Sequence, residues 1–201
     1  LGKTNSSQWA FYGASDDKEV VYNNETYLGV FDKGNSVTVQ RFKNAGSRLK
    51  APSAPAVENE WKLVTVVIRK ERTEIFINGK KGAQEDSKIL LSDILGENSV
   101  LYIGKANWKS GEYYNGLLDE FSIYNYPMTS IQVAELYNTG NEPDAEGIAA
   151  AKLDQEKADQ AAALIRAIGE VKYSKAVKKR IDVAKAAYDA LTDSQKALIS
   201  G

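Results

Sequence analysis

The hydrophobic period of this chain changes once, near Asn141-Glu142-Pro143, and this change constrains the fold more than any other feature. Before it, short β-branched and aromatic runs alternate with Gly, Asn and Ser. After it, Ala, Lys, Glu, Asp and Leu dominate. Strands bury every second residue, whereas helices bury residues three and four apart. The sequence therefore predicts a β-sheet domain over residues 1–142 and a helical module over residues 143–201.

Several segments of the first half have the composition of strands and are bounded by turn-forming residues. They are Gln8–Tyr12, Tyr27–Phe31, Ser36–Phe42, Trp61–Ile68, Thr73–Ile77, Val100–Ile103 and Leu117–Tyr124, with a further strand returning from Lys80. Asn78-Gly79 predicts a two-residue hairpin turn, because both residues tolerate positive φ. Many short strands with little helix favour an antiparallel β-sandwich.

The segment Trp61–Ile68 is apolar on both faces, which predicts a central strand covered on both sides. Trp9 and Trp61 both lie inside strand segments, so we expect their rings in the core. Ser130–Tyr137 is expected to form a short helix capped by Thr129 or Ser130.

The second half has helical spacing throughout. Apolar residues three and four apart predict a helix from Ile148 to Val171, with Gly169 near its end. Ser174 is expected to cap a second helix, and Thr192-Asp193-Ser194-Gln195 has the form of a capping box. These elements predict an antiparallel helical hairpin.

Two absent residue types exclude much enzyme chemistry. Among 201 residues there is no Cys and no His, so thiol nucleophiles, disulfides, Cys/His zinc sites and His-dependent proton transfer are excluded. The formal net charge of −1 gives no global field that would attract nucleic acid. No apolar run approaches the roughly 20 residues of a membrane helix. We therefore expect no nucleic-acid partner and no membrane insertion.

Several motifs, taken together and in order, resemble laminin-G-like, concanavalin A-like lectin domains. They are Trp61-Lys62-Leu63-Val64-Thr65-Val66-Val67, Ile75-Phe76-Ile77-Asn78-Gly79, Tyr102-Ile103-Gly104, Asn115-Gly116-Leu117-Leu118-Asp119-Glu120-Phe121-Ser122-Ile123-Tyr124, Met128-Thr129 and Ile131-Gln132-Val133-Ala134-Glu135-Leu136-Tyr137. The resemblance covers roughly residues 1–140. It implies an antiparallel jelly-roll β-sandwich of the kind appended to bacterial glycoside hydrolases, such as family 43 arabinanases and xylosidases, or to sialidases.

The start of the chain departs from this pattern. Domains of the family have one or two further strands before the segment that resembles Trp9–Tyr12, whereas this chain begins almost at that strand, without an initiator Met or a signal peptide. We therefore expect an internal piece of a longer protein, with one sandwich edge left open.

The tail resembles a small helical module repeated in surface proteins and carbohydrate-active enzymes of Gram-positive bacteria. Two segments carry this resemblance, Leu164–Val171 and Ala184–Leu198. The module implies no activity of its own, and a spacer role is the expectation.

Asp119 is the most informative polar residue, because strand alternation places it on the face of Leu117, Phe121 and Ile123. A carboxylate on a core face is costly unless a cation or several donors satisfy it. Two interpretations follow. Asp119 is a ligand of a structural Ca²⁺ ion, or it accepts hydrogen bonds from turn amides near Asn115-Gly116.

A candidate sugar site lies in the loop-like stretch after Val100–Ile103. Trp108 and Tyr113 could stack on sugar rings, with Asn107 or Glu112 bonding to hydroxyl groups. The alternative is that Trp108 folds back over the sandwich edge.

Three functions follow from these features. The first is a non-catalytic carbohydrate-binding or adhesive module of a secreted or surface-attached bacterial glycoside hydrolase, with a glycan and a linked catalytic domain as partners. The second is a structural module that packs on the catalytic domain through an exposed apolar patch, with the tail as a spacer to the cell wall. The third is an independent enzyme, which is disfavoured because neighbouring residues such as Asp119 and Glu120 point to opposite faces of a strand and cannot flank one glycosidic bond.

Overall fold

The computed structural model describes residues 8–16, 26–43, 52–57, 59–107, 113–141, 144–170 and 174–199. The chain forms two compact units. The first comprises Leu1–Ile123 with Val133–Gly140, and the second comprises Tyr124–Gln132 with Asn141–Gly201. A division after residue 142 remains a prediction, because Glu142 and Pro143 lie outside the described residues.

The first unit contains two antiparallel sheets. Its strands are β1 (Gln8–Ala14), β2 (Thr26–Asp32), β3 (Ser36–Lys43), β4 (Ser53–Pro55), β5 (Val64–Ile68), β6 (Arg72–Ile77), β7 (Lys80–Asp86) and β8 (Val100–Ile103). A five-stranded sheet has the order β4-β3-β2-β1-β8, and a three-stranded sheet has the order β5-β6-β7. A short 3₁₀ turn, Leu91–Asp93, lies between β7 and β8.

The sandwich core lies between the two sheets. Leu28, Val37 and Val39 of the five-stranded sheet form one buried cluster with Ile75 of β6, and Val64, Val66 and Ile77 pack against this cluster. Residues that alternate along each strand point to opposite faces, so each sheet contributes one apolar face. The predicted antiparallel sandwich followed by helices is confirmed.

The five-stranded sheet has a second apolar face, directed away from this core. Its cluster contains mainly aromatic side chains, namely Trp9, Tyr12, Tyr27, Phe31 and Phe42 with Ala14 and Ala106. The rings pack edge-on and stacked at centroid distances such as 5.3 Å between Trp9 and Tyr27 and 5.2 Å between Tyr27 and Phe42. We call this buried layer of rings the aromatic face. The prediction that Trp9 is buried is confirmed.

Arg41 ties the two sheets together at one end of the sandwich. Its Nη1 donates to the carbonyl oxygens of Ile89 at 3.0 Å, Lys70 at 3.2 Å and Arg69 at 3.4 Å. Burial lowers the pKa of Arg41, and the charge of Asp86 opposes this shift. A single guanidinium therefore satisfies carbonyl groups of the β5–β6 turn and of the segment after β7.

The β6–β7 hairpin forms as predicted around Asn78-Gly79, with both residues at positive φ of 51° and 76°. The turn lies against helix α1 (Ser130–Thr139), since a Cβ on Gly79 would be 3.0 Å from Cβ of Tyr137. Thr129 caps this helix by accepting from the amide of Gln132 at 3.2 Å, which confirms the predicted helix and cap.

The strand predicted over Trp61–Ile68 forms only as β5 (Val64–Ile68) and is not central, and the strand predicted over Leu117–Tyr124 does not form. Trp61 lies before β5 and is 67% exposed, and β5 is an edge strand that pairs only with β6 among the described residues. The segment from Leu117 to Tyr124 is irregular and mostly exposed, with Glu120 at a φ of 49°. Both segments have the apolar pattern of strands. Whether such a segment pairs, and where in a sheet it lies, depends on neighbouring strands that the pattern does not identify.

The second unit contains helices α2 (Ala145–Arg166), α3 (Lys175–Asp189) and α4 (Asp193–Lys196). The predicted caps are confirmed: Ser174 accepts from the amide of Val177, and Thr192 forms a capping box with Gln195. Helix α2 ends before the predicted Val171, and Gly169 follows its end at a φ of 63°. Gln195 Nε2 donates to Asp154 Oδ1 at 2.7 Å and so joins α4 to α2. Within the described parts of the chain, no helix combines the length and apolarity that a membrane crossing requires.

Candidate functional site

Three aromatic residues form a row across one end of the aromatic face. Trp9 of β1 is paired with Phe31 of β2 on one side and makes a parallel bridge to Tyr113 on the other. Directly paired residues on neighbouring strands point to the same face. Two strand spacings separate Phe31 from Tyr113, or about 10 Å.

Tyr113 is the exposed member of this row. It is 59% exposed, whereas Trp9 and Phe31 are buried. The neighbouring backbone is fixed, because the amide of Tyr114 donates to the Gly104 carbonyl at 2.8 Å and the amide of Asn115 donates to Gln8 Oε1 at 3.2 Å. An exposed aromatic ring held on a fixed backbone can stack on a flat apolar surface such as the C–H face of a sugar.

Two lysines lie on rings of the aromatic face. Lys33, in the turn after β2, places Nζ 5.5 Å from the ring centroid of Phe31. Lys105, two residues after the end of β8, places Nζ 4.5 Å from the ring centroid of Tyr102. Both distances are within the range of a cation–π interaction, and both lysines are exposed. We call Tyr113, Lys33 and Lys105 together the rim.

Asp32 lies beside the rim but is already engaged. Its Oδ1 accepts from the amide of Gly34 at 2.6 Å, and its Oδ2 is 3.7 Å from Lys62 Nζ. Burial raises the pKa of Tyr114, and the charge of Asp32 adds to this shift. The Tyr114 hydroxyl therefore keeps its proton, and with it its capacity to donate a hydrogen bond, over a wider pH range than usual.

The four residues predicted to bind sugar fall in different environments. Tyr113 lies at the rim. Asn107 is only 9% exposed and makes contacts within the protein. Trp108 and Glu112 lie outside the described residues. The sugar-binding role of these four residues remains a prediction. Lys33 and Lys105 were not singled out from the sequence, although each lies within two residues of the end of a strand.

Asp119 does not lie on a core face, which corrects the premise of the calcium interpretation. The residue is exposed, and its Oδ1 accepts a hydrogen bond from the amide of Glu120 at 2.9 Å. In the ranges that the structure describes, no group of three or more Asp or Glu residues could hold a metal ion. The described residues around Asp119 therefore do not by themselves fit a calcium site.

Comparison with known proteins identifies the fold. A family model for the concanavalin A-like lectin/glucanases superfamily matches residues 3–134. The carbohydrate-binding module CBM40 of the Ruminococcus gnavus IT-sialidase is similar in structure, with a TM-score of 0.55 and 15% identity over 66% of this chain and 75% of that one. An S-layer domain-containing protein of Clostridium thermocellum aligns with a TM-score of 0.33 and 18% identity, over 68% of this chain and 65% of that one. No curated protein sequence matches the chain.

The family match covers well over half of the chain and spans the whole sandwich from β1 to β8. The similar solved structure supports the same architecture independently of sequence. The chain belongs to the concanavalin A-like lectin/glucanases superfamily.

Proposed function

We propose that this chain is a non-catalytic carbohydrate-binding module. Family membership and the structural likeness to a CBM40 domain support a sugar-binding role. The observation on which the proposal chiefly rests is Tyr113, an exposed ring at the margin of the aromatic face whose backbone is held against Trp9. Such a ring supplies the apolar platform on which sugar rings stack.

The proposal extends to the parent protein and its location. We place the module in a secreted or surface-attached protein of a Gram-positive bacterium, next to a glycoside hydrolase domain. Tethering would raise the effective concentration of the enzyme at a glycan without strong individual contacts. The helical unit would act as a spacer. The reading frame of the gene tests this part, since an adjoining catalytic domain is the expected result.

Binding is tested with a glycan array that holds plant polysaccharides and host glycans. We expect wild-type protein to bind at least one class and Tyr113→Ala to lose most of this binding. Trp61→Ala is the matched control, because Trp61 is similarly exposed at 67% but lies outside the rim. Loss of binding with Trp61→Ala and not with Tyr113→Ala would show that the site lies near Trp61 and not at the rim. If the wild-type protein binds no glycan, the proposed function is contradicted.

A structural module is the second candidate function, and a specific observation favours it. The segment that follows Gly116 exposes large apolar side chains, with Leu117 at 75% and Ile123 at 64% exposed, and Leu101 and Ile103 of β8 are also about half exposed. Apolar residues grouped in this way mark interaction surfaces. This function predicts that the array stays silent and that Ile123→Asp improves solubility of the isolated chain.

Calcium at Asp119 also remains a proposal, and its further ligands would have to come from outside the described residues. Binding of an ion to the folded state alone raises the melting temperature. A fall in melting temperature on addition of EDTA, reversed by excess calcium, would support the ion. An unchanged melting temperature would contradict the proposed calcium site.

A further inference from the structure

We propose that the rim binds an acidic glycan and that Lys33 and Lys105 recognise its carboxylate groups. This inference rests on the proposed carbohydrate-binding function and adds the chemical class of the ligand. It follows from the positions of the two ammonium groups, from their lack of ion-pair partners among the described residues, and from their placement on either side of the aromatic row.

The two ammonium groups lie on the same face of the same sheet. Phe31, below Lys33, belongs to β2, and Tyr102, below Lys105, belongs to β8, with β1 between them. Trp9 packs on Phe31 at 4.9 Å, and Tyr12 packs on Tyr102 at 6.4 Å. The lysines therefore flank the row of rings that ends at exposed Tyr113.

Some exposed lysines of this chain are paired with acids. Lys43 bonds to Asp93 at 3.1 Å, and Lys185 bonds to Asp189. Lys33 and Lys105, in contrast, have no carboxylate partner within the part of the chain that the structure describes. Asp32, the nearest acid in sequence to Lys33, is engaged by Lys62 and by the turn amide of Gly34. The rim is therefore locally positive on a chain whose net charge is −1.

A cation–π contact fixes each ammonium near the surface of a ring but leaves its other donors directed to solvent. A saccharide that stacks on Tyr113 and extends over the roughly 10 Å between Tyr113 and Phe31 would bring ring substituents beside these donors. Hydroxyl groups would gain ordinary hydrogen bonds, whereas a carboxylate would gain charge-assisted bonds that are roughly twice as strong. The arrangement favours an acidic sugar over its neutral parent.

Two pairs of ligands test the inference and separate plant from host sources: glucuronoxylan against unsubstituted xylan, and sialyllactose against lactose. Titrations with full-length chain measure Kd at low and high NaCl. We expect the acidic member of at least one pair to bind about tenfold more tightly, with this advantage shrinking in high salt.

Substitutions of the two lysines test whether they cause the preference for acidic sugars. The double substitution Lys33→Met, Lys105→Met is expected to abolish the acidic preference while leaving affinity for the neutral sugar unchanged, and Lys→Arg at both positions is expected to retain it. Lys43→Met, which removes a paired lysine, is the control and should leave the preference intact.

Equal Kd values for acidic and neutral ligands would overturn the inference but not the proposed function. Equally tight binding of poly-glutamate would also overturn it, because a general attraction to polyanions would then suffice. If the chain binds no sugar at all, both this inference and the proposed carbohydrate-binding function are contradicted.

Discussion

The indole ring of Trp9 occupies the space that a side chain at Gly29 would need. Gly29 lies opposite Tyr12 in the β1–β2 pair, on the aromatic face, and a Cβ built on it would lie 2.1 Å from Cζ3 of Trp9. Because Gly29 has no side chain, the Trp9 ring can lie over β2. Trp9 is in turn paired with Phe31 on one side and bridged to Tyr113 on the other. The position of Tyr113 at the rim therefore depends on a glycine two strands away.

Gly29→Ala is therefore expected to displace Trp9 and destabilise the sandwich by about 1–3 kcal/mol, the usual cost of overpacking. Urea denaturation followed by tryptophan fluorescence measures the loss. Gly96→Ala is the control, since a Cβ there meets nothing within 4 Å, and its effect should stay within about 0.5 kcal/mol. Equal midpoints for the two variants would show that the Trp9 ring is free to move.

The buried carboxylate of Glu74 makes stability depend on pH. Burial alone would raise the pKa of Glu74, but hydrogen bonds and charge from Lys81 and Arg69 bring it below the usual 4.5. A carboxyl whose pKa is lower in the folded state contributes stability above its unfolded pKa, and this contribution is lost as the pH falls through the folded pKa. We expect the free energy of unfolding to fall progressively below about pH 4.5.

Glu74→Gln tests the origin of that loss. Arg69 Nε donates to Glu74 Oε2 at 3.0 Å, and both side chains are only 4% exposed. Removing one partner of a buried pair leaves the other charge uncompensated, at a cost of about 3–5 kcal/mol at pH 7. Asp86→Asn, which breaks the more exposed pair with Arg72, should cost about 0–1 kcal/mol. If the Glu74 variant unfolds with wild-type pH dependence, another group is responsible.

Gln195 has two roles in the helical unit. Its amide nitrogen donates to Asp154, and its amide oxygen accepts from the backbone amide of Thr192 at 3.0 Å. Because the side chain is buried, Gln195→Ala should destabilise this unit by about 1–3 kcal/mol. Thermal unfolding followed by circular dichroism at 222 nm measures the change. Lys179→Ala, an exposed substitution on α3, should leave the helical transition in place.

Local signals in the sequence predicted much of the fold. The Asn78-Gly79 hairpin, the Ser174 cap and the Thr192 capping box depend on residues a few positions apart, and all three are confirmed. Trp61 and the segment after Gly116 were placed wrongly, because burial of a strand depends on its position in the sheet order.

The site was predictable only in part. Tyr113 was predicted as a candidate because it is an aromatic residue in a loop after a strand, and in the structure it is exposed at the rim. The lysines were missed although each contacts a ring only two or three positions earlier in the chain, because a single lysine near an aromatic residue has no distinguishing pattern in sequence. Gly29 was missed for a different reason, since its importance lies in a ring on the neighbouring strand.

The most direct test of sugar binding at the rim is an NMR titration of the isotope-labelled chain with the best ligand from the array. Progressive, saturable chemical-shift changes at Tyr113 and at the amides of residues 104–105 and 113–115, with helix α3 unaffected, are the predicted result. Saturable changes confined to other surfaces, or no changes at concentrations that saturate the array, would contradict a carbohydrate site at the margin of the aromatic face.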